Sequence, residues 1–469
     1  MTTSSTRNVL EESLASRPTF SPPRLELESG SRVAVLGGGP AGSFFSYFLL
    51  EMANRVGLDL HLDIYERRIF STTGPAGCNM CGGIISESLV QTLATEGINL
   101  PTSVVERGID SYVLHMDVGD VRIDTPLQEK RIASVHRGAG PKGMKEKKWE
   151  SFDAHLQQLA LNKGARLVQA RVEDISLTEG RPHLKTRDTQ EEPYDLLAVA
   201  VGVNTGVLKI FENLPIQYQS PKTTGTYISE FYLGEEVVEE YLGTSMHVFL
   251  LNIPRLEFAA LIPKGDYVSL CLLGRDIDQP LVQAFLDSAE VKRCMPKGWI
   301  LPQTFCHCSP KINLRAAPKP YADRIVFIGD SGASRLYKDG IGAAYRTAKA
   351  AANTAIFEGI SSESFKKHFL PVCRHIENDN KVGKLIFIVT RDIQRRRFER
   401  RGVLRMVSKE QKKKSGTRHM STVLWDTFTG SAPYTDIFRR TLHPGFLGVF
   451  LWEIVAGFWP FKKRNTTTE

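Results

Sequence analysis

The chain has 469 residues, 42% apolar and 24% charged, proportions of a globular protein with two or three domains and not of a fibrous or mainly disordered one. Its net charge of +8 is a local feature: residues 391–418 hold twelve Lys or Arg against three acids, a net of +9, which leaves 8 − 9 = −1 for the rest. The bulk of the surface is therefore near neutral, which excludes a uniformly basic nucleic-acid coat.

Residues 1–30 are rich in Ser, Thr and Pro without an apolar run, which predicts a loose tail, neither signal peptide nor membrane anchor. The expected compartment is then the cytosol, and the seven cysteines are expected as thiols or ligands. Residues 32–36 read as a buried strand, 41–54 as a helix and 60–65 as a second strand ending at Glu66, one βαβ unit. Further along, 151–163 predicts an amphipathic helix, and 166–176 and 195–201 predict strands. Residues 226–273 predict an antiparallel sheet in a separate domain, 324–328 a buried strand and 342–357 an Ala-rich helix.

Gly37-Gly38-Gly39-Pro40-Ala41-Gly42 is G-x-G-x-x-G between a strand and a helix. The first glycine permits a tight turn, the second lets a pyrophosphate approach the backbone, and the third lets helix and strand pack closely. The helix end offers free N–H groups to phosphate. Glu66, with Arg67 beside it, ends the second strand 29 residues after Gly37, placed to accept hydrogen bonds from an adenosine ribose, which suits FAD or NAD and disfavours NADP.

Two distant segments point to FAD. Residues 195–204, with Gly202, resemble the second flavin-side motif of the glutathione-reductase-like flavoproteins, and 325–333 resemble their third. That resemblance implies that Asp330 holds the ribityl and pyrophosphate side of FAD. Gly340-Ile341-Gly342 then enters a helix whose N–H groups would face the flavin N1–C2=O edge.

Three further stretches resemble the geranylgeranyl reductase family, flavoproteins of p-hydroxybenzoate-hydroxylase-like fold that saturate isoprenoid double bonds. They are the Cys78–Cys81–Gly82–Gly83 loop, Arg137 with Phe152-Asp153, and residues 258–266. The resemblance, which covers about residues 33–357, implies an α/β fold: a discontinuous Rossmann-like FAD-binding domain (31–100, 150–206, 320–360) and an inserted antiparallel-sheet substrate domain (101–149, 207–319); the composition of 361–469 predicts a helical, basic, membrane-proximal C-terminal region. It implies Arg137 at the cofactor, Cys81 as a functional thiol, and Phe258, Ala260, Ile262 and Pro263 at the substrate. Phe258, Ala260 and Ile262 stand where the family carries Tyr, Trp and Phe, so a wider pocket is expected. No proton donor is evident; Tyr267 and His307 are guesses. Only one dinucleotide grip is visible, so NAD(P)H would bind transiently, or a redox partner such as a ferredoxin, or a quinol, would supply electrons.

Cys78, Cys81, Cys306 and Cys308 offer a minor alternative, a metal site; the C-x-C spacing is poor for it, and no metal is expected. The basic block contains no nucleic-acid module. It lies near residues 445–461, which are nearly uncharged, rich in Phe and Trp, and too short to span a bilayer. Together they predict an anionic membrane surface as partner. The leading expectation is a peripheral-membrane flavin reductase acting on the double bonds of a lipid or isoprenoid. The alternatives are a flavin monooxygenase or halogenase on the same fold, and an electron-transfer flavoprotein.

Overall fold

A computed structural model describes residues 25–125, 131–144, 149–187, 192–302, 305–413 and 416–458. The elements that position the site begin with β1 (Arg32–Leu36), α1 (Pro40–Arg55), β2 (His61–Tyr65), β3 (Ser111–Met116) and β4 (Gly119–Asp124). Next come α2 (Phe152–Asn162), β5 (Arg166–Val168), β6 (Leu196–Val199), β7 (Tyr227–Tyr232), β8 (Ser245–Phe249), β9 (Leu256–Lys264) and β10 (Tyr267–Gly274). They are followed by β11 (Cys306–Cys308), β12 (Tyr321–Ala322), β13 (Ile325–Phe327) and α3 (Gly340–Phe357). The C-terminal part is helical: α4 (Leu370–Arg395), α5 (Arg397–Lys412), α6 (His419–Thr429), α7 (Tyr434–Thr441) and α8 (Pro444–Gly457).

The first sheet has the order β12-β13-β6-β1-β2-β5 and is parallel except at its β12–β13 edge. Its central strands are apolar throughout because both faces are covered. Val33 and Val35 face α1 and α3, while Ala34 and Leu36 face a second core with Phe211 and Phe327. Ala348, Ala351, Ala352 and Ala355 of α3 lie in the same core as Phe44, Phe45 and Phe48 of α1. Small side chains on one helix leave room for the rings of the other.

Two expectations need correction here. The single strand expected over 166–176 is two, β5 and Val172–Thr178, and the second belongs to a separate small antiparallel sheet. The break falls where the Gln169 side-chain amide donates to the carbonyls of Glu66 and Arg68, turning the chain off the parallel sheet. Residues 25–30, expected in the tail, dock: Leu27 is buried, and Leu25 accepts a backbone bond from Ile360. Residues 1–24 lie outside the described residues.

The larger sheet has the order β11-β7-β10-β9-β8-β3-β4. It is antiparallel, as expected, except for the β8–β3 pair, which is parallel. It therefore joins strands from residues 111–124 to strands from 227–308. Alternation along β9 sends Phe258, Ala260 and Ile262 to one face and Ala259 and Leu261 to the other. The first face is roofed by Val423, Trp425 and Phe428 of α6 and Tyr434 and Ile437 of α7. The C-terminal helices thus pack on this face of the large sheet.

No helix among the described residues is long and apolar enough to cross a membrane. Helix α8 turns Phe446, Glu453 and Gly457 inward and leaves Leu451, Trp452, Val455 and Phe458 more than half exposed. Buried Glu453 pairs with Lys409 and Arg405 of α5. Within the basic block Arg391, Arg396 and Arg400 also pair with carboxylates, so part of its charge is neutralised at home. Lys414 and residues 459–461 lie outside the described residues.

Candidate active site

The glycine turn after β1 is built as its residue types require. Gly37 has φ +106°, and a Cβ there would sit 2.6 Å from the Ala200 carbonyl oxygen. A Cβ on Gly42 would lie 1.9 Å from the Gly37 carbonyl oxygen, so α1 can approach the turn only without one. Gly42 itself stands behind the wall, while Gly37, Gly39, Pro40 and Ala41 line a cavity of about 350 Å³. No side chain caps α1, so its first N–H groups face that cavity. At Gly39 an added Cβ would meet only the end of the Asn79 side chain, at 3.0 Å. Glu66 and Arg67 line the same cavity. The Glu66 carboxylate accepts from the N–H groups of Gly38 (2.9 Å) and Arg68 (2.8 Å), which fixes it at the end of β2.

A second helix end faces the same space. Gly202, Asp330, Gly340 and Ile341 line it, and no side chain caps α3 either. Gly342 is one step inside α3, where a Cβ would strike the Asp339 carboxylate. Burial pushes the Asp330 carboxyl up, against a Ser334 hydrogen bond and the Arg137 charge, which both pull it down. The turn into α3 is strained, with φ +60° at Tyr337 and +55° at Asp339. The C-terminal helices hold it: Asn380 accepts from Leu336 N–H (2.8 Å) and donates to the Ser334 carbonyl (2.9 Å). Tyr434 donates to the Leu336 carbonyl (2.5 Å), and Arg335 donates to the carbonyls of Gly430 and Ala432.

From the glycine turn the cavity runs to the large sheet. Phe258, Ala260 and Ile262 line that end with Met246, Cys271 and Phe428. Pro263, expected with them, is out of phase on β9; its carbonyl accepts from Ser134 Oγ (2.9 Å) and it is not in the wall. Tyr337 and Lys338 complete the junction between the two ends. The Lys338 ammonium sits 4.3 Å from the centre of the Phe258 ring, and burial pushes its pKa down to about 8, with Cys271 acting the other way. Nothing in the sequence singled out Lys338; its only signal is its place two residues before Gly340.

Arg137 and Cys81 also line the cavity. Arg137 is held in bidentate fashion by buried Asp153, whose other partner is the Asn79 amide. Burial would lower the guanidinium pKa, but Asp153 and Cys81 beside it raise it. Behind the loop 81–83 lies a buried polar group that the sequence did not reveal. Lys264 Nζ is 2.7 Å from Glu230 Oε1, and His136 stands 3.4 Å from Glu230 and 3.9 Å from Glu106. Burial pushes the Glu106 carboxyl up to about 9, Lys264 opposing. A folded pKa above the ordinary 4.5 means that stability is full below about 4.5 and is lost as pH rises toward about 9. Glu106→Gln is therefore expected to flatten that slope and to stabilise the protein at pH 8 by more than about 1 kcal/mol, read by denaturant melts at acid and alkaline pH.

The remaining sequence candidates lie elsewhere. Tyr267 packs on His136 and Tyr232, and His307 is exposed on β11 against Tyr227 and Phe305; neither lines the cavity. Burial pushes the Cys78 thiol up to about 11. Among the described residues Cys78, Cys81, Cys306 and Cys308 are not among the side chains whose ligand atoms converge.

No protein-family model matches the chain, and no curated protein matches it. Solved structures match its architecture. A flavoprotein/dehydrogenase from Cytophaga hutchinsonii is similar with a TM-score of 0.60 at 14% identity, over 92% of this chain and 100% of that one. Halogenase PltM in complex with FAD is similar with a TM-score of 0.56 at 12% identity, over 91% of each. For 2-methyl-3-hydroxypyridine-5-carboxylic acid oxygenase the TM-score is 0.54 at 13% identity, over 78% of this chain and 93% of that one. The chain has the flavoprotein fold. Its own residues fit the cofactor of that fold. Two uncapped helix ends and a Cβ-free approach at Gly39 face one cavity, with a carboxylate at the end of β2 and a second at Asp330.

Proposed function

We propose that this chain is an FAD-dependent oxidoreductase that reduces carbon–carbon double bonds of a lipid or isoprenoid at a membrane surface. The observation that carries the reading is one continuous cavity. It begins at the glycine turn and ends on an apolar wall of Phe258, Ala260, Ile262, Met246 and Phe428, with Lys338 at the junction. When bound, FAD supplies a hydride at its N5 atom. The backbone N–H groups of Gly39 and Ala41 would hold its diphosphate and Glu66 its ribose; Asp330 would take the ribityl side. The N-terminus of α3 would favour negative charge on the flavin. The apolar wall excludes water and orients an unsaturated chain. Lys338 delivers a proton to the carbon that does not receive hydride; a group with a pKa of about 8 is protonated at neutral pH and acidic enough to give its proton up. NAD(P)H, a ferredoxin or a quinol is the proposed electron source.

Resemblance to the geranylgeranyl reductases at Cys78–Gly83, Arg137 and 258–266 supports the substrate class. The exposed Leu451, Trp452 and Val455 of α8 and Phe458 just after it, beside basic α5, support peripheral membrane attachment. The test is expression in a host with unsaturated polyprenyl lipids. The intact protein is expected to add one H₂ per bond reduced, read by lipid mass spectrometry. Consumption of O₂ with oxygen entering the product would instead establish the monooxygenase or halogenase reading. Ala260→Phe is expected to raise KM for the lipid by about tenfold, equivalent to about 1.4 kcal/mol, with FAD content unchanged, because the added ring enters the apolar end only.

A further inference from the structure

On the far side of the large sheet three ligand-type side chains converge. His115 lies on β3 and His247 on β8, strands that run parallel and pair. Met246 and Val248 face the catalytic side, so His247 between them faces away from it. Cys294 follows the short helix Ala289–Lys292. His115 Nε2 and His247 Nδ1 are 2.9 Å apart, and Cys294 Sγ is 3.6 Å from each. All three side chains are buried.

The outer atoms decide what this cluster can bind. His115 Nδ1 is 2.9 Å from Asp120 Oδ1, and His247 Nε2 is 3.3 Å from the Leu242 carbonyl oxygen. Both outer partners are acceptors, so both outer nitrogens carry protons. In the neutral rings, His115 Nε2 and His247 Nδ1 then present bare lone pairs to each other, and one thiol proton can serve only one of them. One extra proton removes the conflict by making His115 an imidazolium between Asp120 and His247, and a metal cation between the three atoms removes it while also using the Cys294 sulfur. Histidines ligating a metal hold their second ring nitrogen to a carboxylate or a backbone carbonyl in this way. With Zn–N about 2.05 Å and Zn–S about 2.3 Å, a tetrahedral ion sets N and S donors about 3.5 Å apart and two N donors about 3.3 Å apart; the two N–S separations of 3.6 Å match, and the 2.9 Å N–N pair would open by about 0.4 Å as the rings turn to the ion.

We propose that His115, His247 and Cys294 bind a divalent transition-metal ion, zinc by their donor chemistry, which ties the 289–294 segment to the far face of the large sheet. Binding displaces the thiol proton to solvent, so thiolate and ion partly cancel in charge. Asp120, whose partly exposed carboxylate also pairs with Arg293, is a positioning residue for His115. The site is separate from the flavin cavity, whose wall contains none of the three residues.

The full-length protein, produced with zinc in the medium and purified without chelator, is expected to carry an equimolar amount of zinc by elemental analysis. Stripped and titrated with Co²⁺, it is expected to show tetrahedral cobalt bands and a thiolate-to-cobalt charge-transfer band. Cys294→Ser is expected to lose the charge-transfer band and Cys306→Ser to keep it. Asp120→Asn is expected to weaken Co²⁺ binding about 10–100-fold without changing the spectrum. Folded wild-type protein that holds no zinc and gives no charge-transfer band would overturn the proposal, as would a Cys294→Ser protein that keeps the band.

Discussion

Lys338→Met is expected to slow the proposed double-bond reduction at pH 7 by about 100–10,000-fold, the range that a positioned general acid supplies. The side chain lies at the junction of the two ends of the cavity, with its ammonium over the Phe258 ring. Its pKa of about 8 sets the sign: the proton is present below that pH and absent above it, so the wild-type rate should fall as pH rises through about 8. The variant should show no such limb. Methionine keeps an unbranched side chain only one atom shorter, so flavin content should not change. Stability moves the opposite way. A folded value below the ordinary 10.5 means that the buried ammonium costs stability at neutral pH and that the cost is relieved as pH rises from about 8 to about 10.5. The variant should therefore be at least as stable at pH 7 while far slower. Single-turnover oxidation of the reduced enzyme by substrate, followed across pH, gives both rate and limb. An unchanged profile in the methionine variant would remove Lys338 from the chemistry.

Gly39→Asp is expected to weaken flavin binding by at least about 100-fold while the protein still folds. A Cβ at this position meets only the movable end of Asn79, so the backbone need not shift. The new carboxylate would stand at the uncapped end of α1, where the diphosphate is to rest, and two anions there repel each other. Gly42→Val cannot make this distinction, because its Cβ would strike the Gly37 carbonyl and disrupt the turn itself. The measurement is flavin fluorescence on titration of the stripped proteins, with circular dichroism as the check on folding.

The parts of the fold that follow from local rules were legible in the sequence. The βαβ unit reads directly from 32–66, because glycine spacing and a buried apolar strand leave few alternatives. Strand alternation puts Phe258, Ala260 and Ile262 on one wall and Pro263 out of phase with them, although those four residues were marked by resemblance and not by periodicity. What was not legible depends on distant contacts. Lys338 gains its low pKa from burial under Phe258, 80 residues away in sequence, and no local pattern announces that. The clamp of Asn380, Tyr434 and Arg335 on the strained turn makes the C-terminal region a wall of the site, although composition alone marked it only as basic and apolar. The inward Glu453 shows the same limit: a lone acid in an apolar segment reads as an interruption until its Arg405 and Lys409 partners are seen. His115, His247 and Cys294 span 179 residues; the two histidines meet because β3 and β8 pair in parallel, and Cys294 reaches them from the segment after helix Ala289–Lys292, contacts invisible to periodicity.

Flavin content of the purified full-length chain tests the central claim most directly. Heat-released cofactor is expected to be FAD, identified by mass, in an amount equal to the protein, with the yellow spectrum bleaching on reduction. A folded, colourless protein that takes up no FAD on titration would contradict the account at its root.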